Sequence, residues 1–274
     1  MPAISTNIAA NSAVRYLNIN SSQETSSLSK LSSGSRITSA SDDAAGLAIS
    51  TRISSDITTL QQAATNAAQA TSILQTADGG ASNISDILAR MKSLASESAS
   101  GTTVGTSRTY IQSEFSQLIS EINSIASGTR YSSQSLLDGS SVFASGVSVM
   151  VGSSGSDTIS ITLTNLTASS LGVSTLDVST QSAATSALSL LDSAINTVSA
   201  ARASIGAQES RFNFSSESIS TQTQNLESAN SAIKDVDIAS EQATLSSAEV
   251  KTQAAVSAES AANQMPQYLL KLLG

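Results

Sequence analysis

The chain of 274 residues contains no cysteine, no histidine and no tryptophan. Disulfides are excluded, and so is any metal site built on thiolate or imidazole ligands. Nucleophilic machinery of the Ser-His-Asp or Cys-His kind cannot be assembled, and no cofactor-binding pattern is present. Aromatic residues are scarce, four Phe and four Tyr. Only two prolines occur, Pro2 and Pro266, so helices are free to run almost from end to end. Charged residues make up 12%, about half the usual share, with a net charge of −8. The 13 Lys and Arg are scattered singly. That excludes a nucleic-acid surface and a polybasic membrane patch. No run approaches 18 apolar residues, so no membrane span is expected. Met1-Pro2-Ala3-Ile4 opens without a positive or apolar leader segment, so a cleaved secretory signal is not expected.

What the chain does have is 61 Ser, 39 Ala and 26 Thr, nearly half of it. Apolar residues reach 39%, but much of that is Ala. Large side chains supply most burial energy, ~1.5–3 kcal/mol each. Such a composition builds thin helix seams rather than a thick globular core, and a weakly charged surface that packs cheaply against copies of itself.

Heptad-like spacing marks the helices. Ala10, Val14, Leu17, Ser21, Glu24, Leu28 and Leu31 follow a 4-3 rhythm. A second run extends from Ile53 to Leu94 through Leu60, Leu74, Ile84 and Leu88. Asp78-Gly79-Gly80 reads locally as a turn, but the rhythm resumes in phase beyond it, so one helix is expected. Ile111, Phe115, Leu118, Ile122 and Ile125 give a third helix. Leu188, Leu191, Ile195, Val198, Arg202 and Ile205 give a fourth, continued by Ile219, Leu226 and Ile233. An Ala-rich helix over about 238–272 ends the chain. Between them Val147, Val149 and Val151 alternate, then a Gly/Ser/Asp loop, then Ile159, Ile161 and Leu163: a β-hairpin. Ser39 with Asp42 resembles a capping box for the long second helix. Isolated helices with faces this thin are marginal in water, so the terminal helices should depend on association.

Three motifs then carry a resemblance. Leu31-Ser-Ser-Gly34-Ser-Arg36-Ile37-Thr-Ser39-Ala-Ser-Asp42-Asp43-Ala-Ala-Gly46-Leu-Ala48-Ile49 resembles the signature of bacterial flagellins. Ile205-Gly206-Ala207-Gln208 with Arg211-Phe212-Asn213, and Ala262-Asn263-Gln264-Met265-Pro266-Gln267 with Leu269, Leu270 and Leu273, resemble two further flagellin motifs. The resemblance covers about residues 1–130 and 181–274 and looks nearest to short alphaproteobacterial, Caulobacter-type members.

It implies a mainly α, long-helix coiled-coil bundle: a terminal D0-like coiled coil, a D1-like helical rod and a small β-hairpin, with outer variable domains absent. The implied organisation is a core helix at 1–32 paired with 240–274, a spoke and rod helices at 33–130, a short outer segment at 131–180, and returning rod helices at 181–239. The implied function is a non-enzymatic subunit, exported unfolded, that polymerises into the extracellular flagellar filament. Partners would be its own copies and paralogues, an export chaperone at the C-terminal end, hook-associated and cap proteins and the export apparatus. O-glycans on the outer hydroxyls are also implied. Assembly would use Val14, Leu17, Leu28, Leu31, Leu245, Val256, Leu269, Leu270 and Leu273. Arg36, Ile37, Asp42 and Asp43 would form a spoke between subunits, with Asp42 or Asp43 in a salt bridge. Arg90, Leu94 and Glu114 match positions that an innate immune receptor reads in enteric relatives, but Ser93 and Ser96 depart from that pattern. Two competing readings are a hook–filament junction protein, which shares the terminal helices, and a chemoreceptor-like signalling coiled coil.

Overall fold

The computed structural model describes residues 7–273, with side chains beyond Gln267 and that of Pro266 outside the description. Ten elements follow in chain order: α1 (Ile8–Ser33), α2 (Ala44–Ala99), α3 (Gly105–Gly128), β1 (Arg130–Tyr131), β2 (Gln134–Ser135), α4 (Val142–Ser145), β3 (Val147–Met150), β4 (Thr158–Ile161), α5 (Gln181–Lys234) and α6 (Ile238–Leu273). They fall into two compact units, residues 1–55 with 225–274, and residues 56–224.

In the larger unit the expected seams are the core. Leu60, Leu74, Ala77, Ile84, Leu88 and Met91 of α2 are almost fully buried. From Leu74 onward they share a cluster with Ile111, Phe115 and Ile122 of α3 and Leu191, Val198, Ile205 and Phe212 of α5. Ion pairs stitch the helices at the rim. Arg90 reaches Glu114 at 2.7 Å, Arg202 reaches Asp78 at 2.9 Å, and Lys92 pairs with Asp192. These pairs are half exposed, so each contributes no more than about 1 kcal/mol.

α2 runs unbroken through Gly79 and Gly80. Gly80 is there because the chain returning from α3 crosses it: a Cβ would meet the Thr129 side chain and stand 2.9 Å from Leu137 Cδ1. Gly79 faces open space. The end of α2 is capped from outside the helix. Arg108 donates to the carbonyls of Ser98 and Ser100 at 2.9 and 3.0 Å, and Gln181 donates to that of Ala99 at 3.0 Å. These bonds satisfy carbonyls that the helix itself leaves unpaired.

The expected hairpin forms with Val147 opposite Ile161 and Val149 opposite Ile159. A second, shorter hairpin, β1–β2, precedes it. Its turn is made by Ser132 and Ser133 at φ 47° and 69°. Such turns normally recruit Asn-Gly, so the sequence gives no signal for it. Anchoring overrides the preference: Leu136 and Leu137 are buried, and the Ser135 hydroxyl donates to the Ala126 carbonyl at 2.9 Å.

Side-chain amides bind the segment that follows the β1–β2 hairpin. Asn66 donates to the Met150 carbonyl, and Asn123 and Gln112 accept from the Ala168 and Val178 amides. Gln208, 8% exposed, makes a two-way pair with Thr162, accepting from its N–H at 2.9 Å and donating to its carbonyl at 3.0 Å. Each tether reads backbone atoms, so it is indifferent to the side chains it holds.

Candidate assembly interface

The smaller unit is built on α1 and α6, whose Cα atoms come within 8 Å of one another repeatedly. On α1 exposure is lost along the row Ala10, Ala13, Leu17, Asn20, Glu24, Ser27 and Leu31, with Ser26 and Lys30 partly covered beside it. On α6 they are Glu241, Leu245, Ala248, Thr252, Ala255, Glu259 and Ala262. Both rows keep the 3-4 rhythm, but the first differs from the expected seam in phase. Val14, Ser21 and Leu28 point outward, and Ala13, Asn20 and Ser27 take their places. Small side chains let the two backbones approach closely, and the larger neighbours are left outside.

The seam is polar and incompletely satisfied. Asn7 caps α1 by accepting from the Ala10 amide, and its own amide donates to the Ala262 carbonyl at 2.8 Å. Thr252 reaches Glu24 at 3.5 Å. The buried Ser27 hydroxyl and the buried Glu241 Oε1 have no partner among the described residues. An unpaired buried polar group costs ~1–3 kcal/mol. Meanwhile Ile8, Tyr16, Ile19 and Leu28 of α1 and Ile238, Val250 and Met265 of α6 are more than half exposed.

The nine expected assembly residues therefore divide. Leu245 is buried, Leu17 and Leu31 are half-buried, and Val14, Leu28 and Val256 are exposed. The side chains of Leu269, Leu270 and Leu273 lie outside the described residues.

Between α1 and α2 the chain forms a joint with the break between α5 and α6. Gly34, in the left-handed region at φ 68°, ends α1. Ser35 bridges Asp235, with Arg36 N–H donating to the Lys234 carbonyl and Val236 N–H to that of Gly34. Ile37 is buried at 4% exposure. The Arg36 guanidinium donates twice to the Ile233 carbonyl and makes no ion pair among the described residues.

The capping box is only half formed, and it does not start α2. Asp42 reaches back to the Ser39 amide at 2.9 Å and also accepts from the Thr38 amide and hydroxyl. Asp43 is the residue that caps α2, accepting from the Gly46 amide at 2.8 Å. Adjacent carboxylates thus serve two different N–H clusters. The Ser39 amide, then the Thr38 hydroxyl and amide, hold the Asp42 carboxyl below the usual carboxylate range. Asp237 likewise caps α6 through the Ala239 and Ser240 amides.

In the larger unit Arg90 and Glu114 are exposed and paired, whereas Leu94 is 2% exposed in the core. Leu94 offers no side-chain surface. This follows from the α2 rhythm, in which Leu94 closes the apolar row that begins at Ile53.

Close helix pairing with apolar residues turned outward defines a class of protein, the self-associating structural subunit. Comparison with known proteins gives the family. A family model described as the bacterial flagellin N-terminal helical region matches residues 4–142, and one described as the bacterial flagellin C-terminal helical region matches residues 188–273. The chain belongs to the bacterial flagellin family and is a structural subunit of the flagellar filament. It is 35% identical to a flagellin of Halalkalibacterium halodurans over 98% of this chain and 99% of that one. It is equally identical to a flagellin of Listeria monocytogenes with the same coverage. A crystal structure of Bacillus cereus flagellin superposes with a TM-score of 0.52 at 28% identity, over 61% of this chain and 94% of that one. A putative flagellar hook-associated protein from Vibrio parahaemolyticus, 14% identical with a TM-score of 0.59 over 71% of this chain and all of that one, shares the fold.

Proposed function

We propose that the α1–α6 pair is the seam through which this flagellin assembles, with 1–32 and 240–274 as its core helices and 33–130 and 181–239 as rod. The observation that carries the reading is the outward placement of Val14, Leu28 and Val256 beside Ile19 and Val250. Five exposed aliphatic side chains on one helix pair are costly in water and are covered when copies pack. Leu17, Leu31 and Leu245 hold the pair together within the chain; Leu269, Leu270 and Leu273 are assigned to assembly from the family motif alone. Arg36, Ile37, Asp42 and Asp43 serve as the spoke. With Arg36 committed to Ile233, a salt bridge from Asp43 would have to come from a neighbouring copy.

The remaining readings follow from the family rather than from geometry. The subunit is exported unfolded, and cysteine-free chemistry suits threading through a narrow channel. An export chaperone takes the C-terminal end, and hook-associated and cap proteins bound the filament. O-glycans fall on hydroxyls of 128–180. The subunit has no catalytic task. Of the receptor positions, Arg90 and Glu114 alone are available at the surface. Placement among alphaproteobacterial, Caulobacter-type flagellins rests on the motifs and the short chain; the relatives found come from Gram-positive bacteria and spirochaetes and do not support it. Whole-length similarity to flagellins favours a filament subunit over a junction protein.

Electron microscopy of the purified chain after seeding tests the reading. Long helical tubes are expected. A preparation that stays as soluble rods in every salt condition would overturn it.

A further inference from the structure

α6 has two unlike flanks on either side of its seam with α1. At 100° per residue, Ile238, Glu249 and Val256 fall within about 20° of each other around the helix. Ser240, Ser247 and Lys251 lie about 160–220° away, on the other side. The first flank is bulky and acidic: Ile238 is 65% exposed and Val256 48%. The second is a groove of about 590 Å³ between α1 and α6, lined by Ile19, Gln23, Ser240, Ala243, Ser247 and Lys251. Its walls are mostly small side chains, and its charge is positive.

We infer that the bulky flank of α6 in one copy seats in the α1–α6 groove of the next. This deepens, and rests on, the reading of the helix pair as the assembly seam. The occupant is a second copy for two reasons. The flanks are complementary in size, β-branched side chains against Ser and Ala. They are also complementary in charge, with Glu249 on one and Lys251 on the other. A contact between two different patches of the same chain is heterologous, and repeated it generates an open helical array rather than a closed dimer. A pairing of like flanks would instead set Lys251 against Lys251, or Glu249 against Glu249, and would close after two copies.

The cysteine-free chain makes the test direct. Single-cysteine full-length chains are prepared at Ile238→Cys, Glu249→Cys and Val256→Cys on one flank, and at Ser240→Cys, Ser247→Cys and Ala258→Cys on the other. Three positions per flank span about 27 Å of helix, which accommodates an axial stagger between copies. Chains are mixed pairwise, assembled into filaments and oxidised. Disulfide-linked dimers are expected in at least one cross-flank mixture, at tenfold or more the yield of either chain assembled alone. Filaments that yield no cross-flank dimers, or that yield them equally from single-flank preparations, would overturn the inference while leaving the assembly seam intact. Filaments that form normally from the double variant Ile238→Ser with Val256→Ser would also overturn this contact, whereas normal filaments from the triple variant Val14→Ser, Leu28→Ser and Val256→Ser would overturn the seam reading itself.

Discussion

Arg36 donates from both Nε and a terminal amino group to the carbonyl oxygen of Ile233, at 3.2 and 2.7 Å. The last turn of α5 thereby receives a positive charge and two donors from a residue almost 200 positions earlier. This combination satisfies an orphan carbonyl and complements the negative end of the helix.

Removing that contact should loosen the joint without unfolding the rod. Arg36→Ala is expected to cost about 0.5–1.5 kcal/mol locally, roughly twofold to tenfold faster exchange at the Val236 amide. Arg36→Lys should recover only part of this, because an ammonium lacks the two-pronged geometry. Hydrogen exchange at Val236 and Arg36 measures it, and unchanged protection in Arg36→Ala would refute the capping role.

Asp42 gives the joint a pH dependence. Its carboxyl lies below its ordinary value of 3.8, chiefly through the Ser39 amide and then the Thr38 hydroxyl and amide. A depressed native pKa means that the ionised form stabilises the fold. The contribution is complete above the ordinary carboxylate pKa and is lost as pH falls through the lower native value. The protection factor of the Ser39 amide, taken against its intrinsic exchange rate at each pH, should therefore fall below about pH 4 in the native chain. In Asp42→Asn it should be lower at neutral pH and nearly flat with acid.

Two adjacent glycines should respond in opposite directions. Gly79→Ala adds a methyl in open space and is expected to stabilise α2 by about 0.5–1 kcal/mol. Gly80→Ala forces a Cβ against Thr129 and Leu137 and should destabilise by about 1–3 kcal/mol. Thermal unfolding followed by circular dichroism compares them, and equal shifts would contradict the crossing geometry.

Gln208 should act as a clamp whose chemistry can be restored by acid. Gln208→Leu leaves the Thr162 amide and carbonyl unpaired and should cost about 1–3 kcal/mol, read as lost protection in β4. In Gln208→Glu the ionised side chain repels the Thr162 carbonyl. Once protonated it again offers one donor and one acceptor. Protection at Thr162 should return as pH falls from 7 towards about 4 in that variant alone.

Much of the fold was legible because period 3.6 and period 2 leave different marks. The α2, α3 and α5 seams and the β3–β4 register follow directly from Ile84, Phe115, Val198 and the Val147–Val151 alternation. The β1–β2 turn was not legible, because Ser132 and Ser133 carry none of the usual turn chemistry and are held by tertiary anchors. Nor was the capping of α2, where Asp42 and Asp43 are adjacent and only geometry tells which one meets Gly46. The outer segment after Ile161 was opaque for a related reason. It is positioned by Gln112, Asn123 and Gln208 from distant helices, through backbone atoms that no sequence pattern records.

The sequence by itself determined the helix lengths, the absence of thiol and imidazole chemistry, and, through its three motifs, the family. It also determined that α1 would present a heptad seam. Tertiary structure alone decided which of two adjacent phases became that seam. Val14 and Leu28 are the more apolar choice, yet Ala13 and Ser27 face α6, because small side chains let two backbones come close where larger ones would hold them apart. The same choice leaves Val14, Leu28 and the bulky flank of α6 exposed to whatever packs next.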